Sequence, residues 1–146
     1  MGLNLDPLQE YVDRLLGQLD GQTRIADRVF PSSSQAMILF TKQVLDSILM
    51  SYATFLIDRT RQGSETEIYL KTVVGTYHQC RRLVRYLNKP SDATTEFRST
   101  LFAHIDKLYI PHIELYLRVE SEHYRKCCDS VVDSWKQKVY PLNTQC

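Results

Sequence analysis

Residues 35–57 read QAMILFTKQVLDSILMSYATFLI, and only Lys42 and Asp46 among these twenty-three residues carry charge. Wound as a helix, the stretch lines up Met37, Phe40, Val44, Ile48, Tyr52 and Phe55 on one face. Ile38, Leu45, Leu49 and Leu56 fill the adjoining strip. Together they cover about half the circumference, wider than the ~100° stripe of a helix resting on a single neighbour. Phe40, Val44, Ile48, Tyr52 and Phe55 are therefore expected to form the buried core of a hub helix over 34–61. Such a helix must touch at least two others, which makes the domain an all-α, antiparallel helical bundle.

The rest of the chain is punctuated as a helical protein should be. Asp6-Pro7 can open a first helix, with Leu8, Val12, Leu15, Leu16 and Leu19 on its apolar face and Gly21 as its stop. Gln22–Arg28 reads as a polar connector, and Val29-Phe30-Pro31 as an elbow before Ser32-Ser33-Ser34, any of which could cap the hub. Gly63 ends the hub, and Ser64-Glu65-Thr66-Glu67 has the capping-box pattern that starts the next helix. Asn88-Lys89-Pro90-Ser91-Asp92 is a break and the expected flexible loop. Pro111 either kinks one long helix or divides two. Beyond it Ile113, Tyr116, Leu117, Tyr124, Cys127, Val131 and Trp135 share a stripe. The expected layout is an N-terminal helix and connector over 1–28, then a bundle over 29–140. Helices within it are expected at 34–61, 65–88, 92–110 and 111–139, with a frayed tail over 141–146.

Composition narrows the function classes. A chain of 146 residues is about one domain, and 24% charged residues with a net charge of +1 give no global attraction to nucleic acid. The hub run is long enough for a bilayer, but Lys42, Asp46 and its hydroxyl residues argue against a span. Met1–Leu15 has neither a basic start nor an apolar core, so a secretory signal is not expected. Cys80, Cys127, Cys128 and Cys146 form no Cys-x-x-Cys pair and read as free thiols of a reducing compartment.

Two polar patterns stand out. Lys71, His78, Arg82, Arg85 and Lys89 fall on one face, and no acidic residue occurs between Glu67 and Asp92. This ridge could dock an acidic partner or anionic lipid headgroups, or simply be a solvated face that complements the helix dipole. Glu120 lies inside an apolar stripe, and Glu120-x-x-His123 has the spacing of di-iron bundles. That site needs a second such motif, which the sequence lacks, so Glu120 is expected to be a carboxylate paired to an Arg or a Tyr hydroxyl. His104, His112 and His123 have the wrong spacing for a helical zinc pair, and no phosphate loop, nucleophile elbow or catalytic carboxylate pair is present. No catalytic residue, cofactor or metal is expected.

Val29-Phe30-Pro31, followed by Ala36-Met37-Ile38-Leu39-Phe40 with Val44, Ile48, Tyr52 and Leu56, resembles the start of a block in the Sec-ten exocyst component family, which includes the fungal recyclins. Tyr69-Leu70-Lys71-Thr72-Val73-Val74 with Gln79-Cys80, then Tyr116-Leu117 with Glu120 and Val131-Val132-Asp133-Ser134-Trp135-Lys136, are similar to later parts of that block. The likeness covers Val29 to about Lys138 and consists of packing patterns. Ser32-Ser33-Ser34-Gln35 stands where acidic character is expected, and the family is far longer, with an upstream coiled coil (an F-box in recyclins) and a further helical rod. The resemblance implies a non-enzymatic scaffold or tether fragment, cytoplasmic and peripheral to membranes, part of a rod-like stack of helices. It would contact other tethering-complex subunits or vesicle-associated proteins in exocytosis or endocytic recycling, and an anionic membrane surface through the ridge. The alternatives are an unrelated helical adaptor that binds a partner helix in a groove, and a metal-dependent bundle enzyme.

Overall fold

The computed structural model describes residues 4–63 and 65–139, and every regular element among them is helical. In chain order these are α1 (Asp6–Val29), α2 (Ser33–Val44), a wider π-type turn (Leu45–Leu49), α3 (Met50–Arg61), α4 (Thr66–Tyr86) and α5 (Glu96–Val139). The backbone stays right-handed helical through Leu45, Leu49 and Met50, so α2, the wide turn and α3 form one continuous hub helix. Its twenty-nine residues, 33–61, span roughly 43 Å at ~1.5 Å per residue. The hub meets α1 and α5 through α2 and meets α4 through α3, while α4 also packs on α1 and α5. The four rods share one core, and α1 supplies Leu8, Val12, Leu15 and Leu19 to it. The N-terminal helix is thus part of the bundle.

The hub's buried line differs from the one expected. Ser33, Met37, Thr41, Leu45, Leu49, Ala53 and Ile57 are all buried, each four residues from the last. In an ordinary α-helix every four-residue step swings the line by about 40°. The wide turn at Leu45–Leu49 takes in about one extra residue and brings the line back toward the core. Phases counted at 3.6 residues per turn therefore misplace the face. Val44 is buried as expected, and Tyr52 is half-buried, stacked on Tyr11 at 5.6 Å between centroids. Phe40, Ile48 and Phe55 are exposed, Ile48 by 39% against 0% for Leu49.

Three other boundaries move for identifiable reasons. α1 does not stop at Gly21, which keeps a helical rather than a left-handed backbone. Thr23 and Ala26 carry its buried face onward, the Thr23 hydroxyl donating to the Leu19 carbonyl at 2.9 Å. The helix ends at Val29, two residues before Pro31. α5 runs unbroken through Pro111 where two helices over 92–110 and 111–139 are expected. Pro111 and Lys107 are both exposed, so water can reach the carbonyl that the ring leaves without its helical partner. The expected flexible loop after α4 is pinned: Leu87 and Pro90 are buried, and Asp20 and Asp27 of α1 accept the Asn88 and Ser91 amides at 3.0 Å each. The tail over 141–146 and Ser64 lie outside the described residues.

Two helix ends are capped from across the fold. Ser32 makes no side-chain cap to the hub, and Asp92 serves it instead. The Arg98 guanidinium of α5 donates to the carbonyls of Val84 and Arg85 in the last turn of α4. Near the middle of α4, Gly75 lets the start of α1 come close, since a Cβ there would sit 2.2 Å from Leu5 Cδ1.

Candidate interaction surfaces

The basic ridge on α4 is partly neutralised. Lys71 pairs with Glu67 at 3.0 Å on the same helix, both exposed, and this contact holds the Glu67 carboxyl below the usual carboxylate range. Arg82 leans toward α1, where its guanidinium meets Asp13 at 2.8 Å and lies 5.8 Å from the centre of the Tyr86 ring. His78, Arg85 and Lys89 remain exposed, with no ion pair among the described residues, and Lys89 lies beyond the helix end. The acid facing this ridge comes from another helix, so the lack of carboxylates between Glu67 and Asp92 misleads. A signal was present in α1: Asp13, Asp20 and Asp27 recur every seventh residue and form a column. Asp13 meets Arg82, Asp20 meets the Asn88 amide, and Asp27 accepts both the amide and hydroxyl of Ser91. The Ser91 amide is the main reason the Asp27 carboxyl sits below its ordinary range.

The second surface is the distal half of α5. Phe97, Leu101, Ile105 and Tyr109 are buried against the bundle, but every described residue from Ser121 to Val139 is exposed. The stripe read from the sequence runs along one helix face, and Ile113, Leu117, Tyr124, Val131 and Trp135 on it are all exposed. Where α5 leaves α4, an open groove of about 320 Å³ forms between Val73, Val74 and Tyr77 on one side and Ile113, Tyr116 and Leu117 on the other. Tyr109 lies beneath it, fully buried, with its ring edge-on to Tyr77 at 5.2 Å and its hydroxyl 3.8 Å from Cys80 Sγ. Burial pushes the Cys80 thiol up to about 11 and the Tyr109 phenol well above its ordinary range.

A third feature is a groove of about 380 Å³ between α1 and the hub. Gly17 and Gly21 lie along it, with Ile25, Phe40 and Ile48 at its rim. Phe40 and Ile48 line it because the hub's buried line runs through Met37, Thr41, Leu45 and Leu49 and leaves them outside the core.

Glu120 is half-buried, and the Tyr116 hydroxyl donates to its carboxylate. His123 instead faces Cys127, with its Nε2 3.9 Å from the thiol. Among the described residues no three His, Cys, Asp or Glu side chains come together as a metal set. His104 pairs with Asp46 of the hub at 2.7 Å, and burial lowers the His112 pKa. Cys80 is buried, whereas Cys127 and Cys128 are exposed free thiols. No helix among the described residues is long and apolar enough to cross a membrane.

The described residues form an all-helical bundle with exposed apolar side chains along α5. Its sequence matches the family described as exocyst complex component Sec10-like, alpha-helical bundle, over residues 3–143. The chain belongs to that family. The match takes in α1, which the resemblance beginning at Val29 leaves out. The chain is also similar to the F-box protein pof6 of Schizosaccharomyces pombe, at 21% identity over 137 residues. The aligned region covers 94% of this chain and 14% of that relative's length. No solved structure matches.

Proposed function

We propose that this Sec10-like bundle is a non-enzymatic scaffold that holds other subunits of a vesicle-tethering complex in exocytosis or endocytic recycling. It would work in the cytoplasm, peripheral to membranes, as one segment of a rod-like stack. The observation that carries this reading is family membership across nearly the whole chain, residues 3–143. Two structural features support it. The apolar face of α5 stays exposed over several turns, as a segment that packs on further helices requires. Three of the buried or half-buried polar side chains serve packing: Thr23 and Thr72 bond to their own helix, and Glu120 bonds to Tyr116.

His78, Arg85 and Lys89 are the part of the ridge left for an anionic lipid surface or an acidic partner. The experiment for the scaffold reading is direct binding between this chain and individually purified subunits of an exocyst-type complex. At least one subunit should bind at concentrations on the order of 1–10 μM, within the range of transient assembly contacts. If none binds at that level, the tethering assignment fails.

A further inference from the structure

The exposed strip of α5 is symmetric about one residue. Leu117 and Val131 stand seven residues to either side of Tyr124, and Ile113 and Trp135 stand eleven to either side. At about 100° per residue, all five fall within roughly 40° of arc. Tyr124 is 62% exposed and Val131 68%, so the strip faces away from its own bundle. A helix whose apolar positions are mirrored about a centre matches a copy of itself turned end for end, as an isologous two-fold contact requires.

We propose that two copies of this chain pair antiparallel through α5, with the two-fold axis passing at Tyr124. Leu117 then packs on Val131 of the second copy, Ile113 on its Trp135, and the two Tyr124 rings meet at the axis. The charges select this direction over the parallel one. Glu120 and Lys138 lie on or beside the strip. Parallel pairing would set Glu120 on Glu120 and Lys138 on Lys138, whereas antiparallel pairing sets Glu120 opposite Cys128 and Lys138 opposite Ile110. The helix is also polarised as a whole. Between residues 114 and 122 stand three carboxylates and one guanidinium, and between 125 and 138 four cations and two carboxylates. Turning one copy round sets Glu122 of each opposite Lys126 of the other.

The open groove of about 320 Å³ between α4 and α5 gives the pairing its anchor. Ile113 and Leu117 belong both to this groove and to the strip, and Val74 and Tyr77 form its far wall. In the antiparallel register the second copy's strip passes where that groove opens. Each projecting helix end is thereby covered by the other molecule. The contact is one helix face plus one pocket, at the small end of specific interfaces, so a dissociation constant in the micromolar range follows.

Sedimentation equilibrium of the chain from about 1 to 200 μM should show a reversible monomer–dimer equilibrium. Tyr124→Glu should raise the dissociation constant at least tenfold and leave the thermal unfolding of the monomer unchanged, since Tyr124 is exposed. Register is read by oxidation in a background of Cys127→Ser, Cys128→Ser and Cys146→Ser. A mixture of Leu117→Cys and Val131→Cys chains should form the mixed disulfide. Leu117→Cys alone should not, because its two copies would stand about 21 Å apart along the axis. A monomer throughout the concentration range overturns the proposal. So does dimerisation untouched by Tyr124→Glu, or Leu117→Cys linking to itself as readily as to Val131→Cys. The scaffold reading is carried by family membership over residues 3–143 and not by α5 self-pairing, so a chain that stays monomeric overturns the pairing and leaves that reading standing.

Discussion

Asp92 caps a helix that begins fifty-nine residues before it: its Oδ1 accepts the Ser33 hydroxyl at 2.7 Å and the Ser34 amide at 2.8 Å. The hub helix therefore starts against the turn that precedes α5, and local Ser32 contributes no cap. One carboxylate ties the entrance of the hub to the α4–α5 connection, so a cap and a tertiary contact are the same interaction.

Asp92→Ala should accordingly cost about 1–2 kcal/mol, the upper part of the range for losing an N-cap, because the Ser33 hydroxyl is left in a buried position. Asp92→Asn keeps an acceptor oxygen and should cost clearly less. Urea unfolding of the two variants checks this. Equal and negligible losses would mean that Asp92 is not the cap.

The hub's register predicts a contrast between neighbours in sequence. Leu49→Ala removes a fully buried side chain and should cost on the order of 2–5 kcal/mol. Ile48→Ala alters a side chain at the rim of the α1–hub groove and should cost under about 1 kcal/mol. Chemical denaturation of the pair tests the wide turn itself, since an uninterrupted α-helical phase assigns Ile48 to the core.

What the sequence made legible follows from which forces are local. The hub's apolar excess, the helix from Thr66 and the breaks at Gly63 and Pro90 depend on residues close in the chain, and they stand where periodicity puts them. The wide turn at Leu45–Leu49 is not local in that sense. It is favoured by a buried line in steps of four, which only the packed neighbours reveal. Gly21 reads as a stop until Thr23 and Ala26 are known to be buried, and Pro111 reads as a boundary until its exposure is known. For the candidate surfaces, the α5 stripe was visible in the sequence but its exposure was not. The ridge on α4 was visible without the Asp13 that neutralises Arg82.

Cys80 makes bundle stability depend on pH in one direction. Its thiol is pushed up to about 11 from an ordinary value of 9.0, chiefly by burial. Below pH 9 both folded and unfolded states keep the proton, and the full stability is present. As pH rises through 9 toward 11, the unfolded chain releases the proton and the folded one holds it, so unfolding becomes easier. Between pH 8 and 10 the loss from this group should be about 1 kcal/mol. Cys80→Ala should flatten that part of the profile, and the remaining slope includes the buried Tyr109 phenol, which is raised in the same sense. Urea unfolding of both proteins at the two pH values measures the difference. Parallel profiles would show that the Cys80 thiol ionises as easily in the fold as outside it.

The final prediction separates the two roles of the basic ridge. Arg82 is bound to Asp13 of α1, so Arg82→Glu replaces an interhelical attraction by a repulsion. Arg82 is only partly exposed at 28%, and its reversal should lower stability by about 1 kcal/mol or more. Arg85 and Lys89 are exposed and in no ion pair among the described residues, so Arg85→Glu with Lys89→Glu should stay within ~0.5 kcal/mol of the parent. If the ridge meets anionic headgroups, this second variant should lose co-sedimentation with phosphatidylserine vesicles while its melting curve stays put. Salt should weaken the parent protein in the same way, since screening over a Debye length of about 8–10 Å acts on the same attraction. Vesicle binding equal in the parent and in Arg85→Glu with Lys89→Glu, or absent from both at low salt, would reduce the ridge to a solvated face whose one structural charge is Arg82.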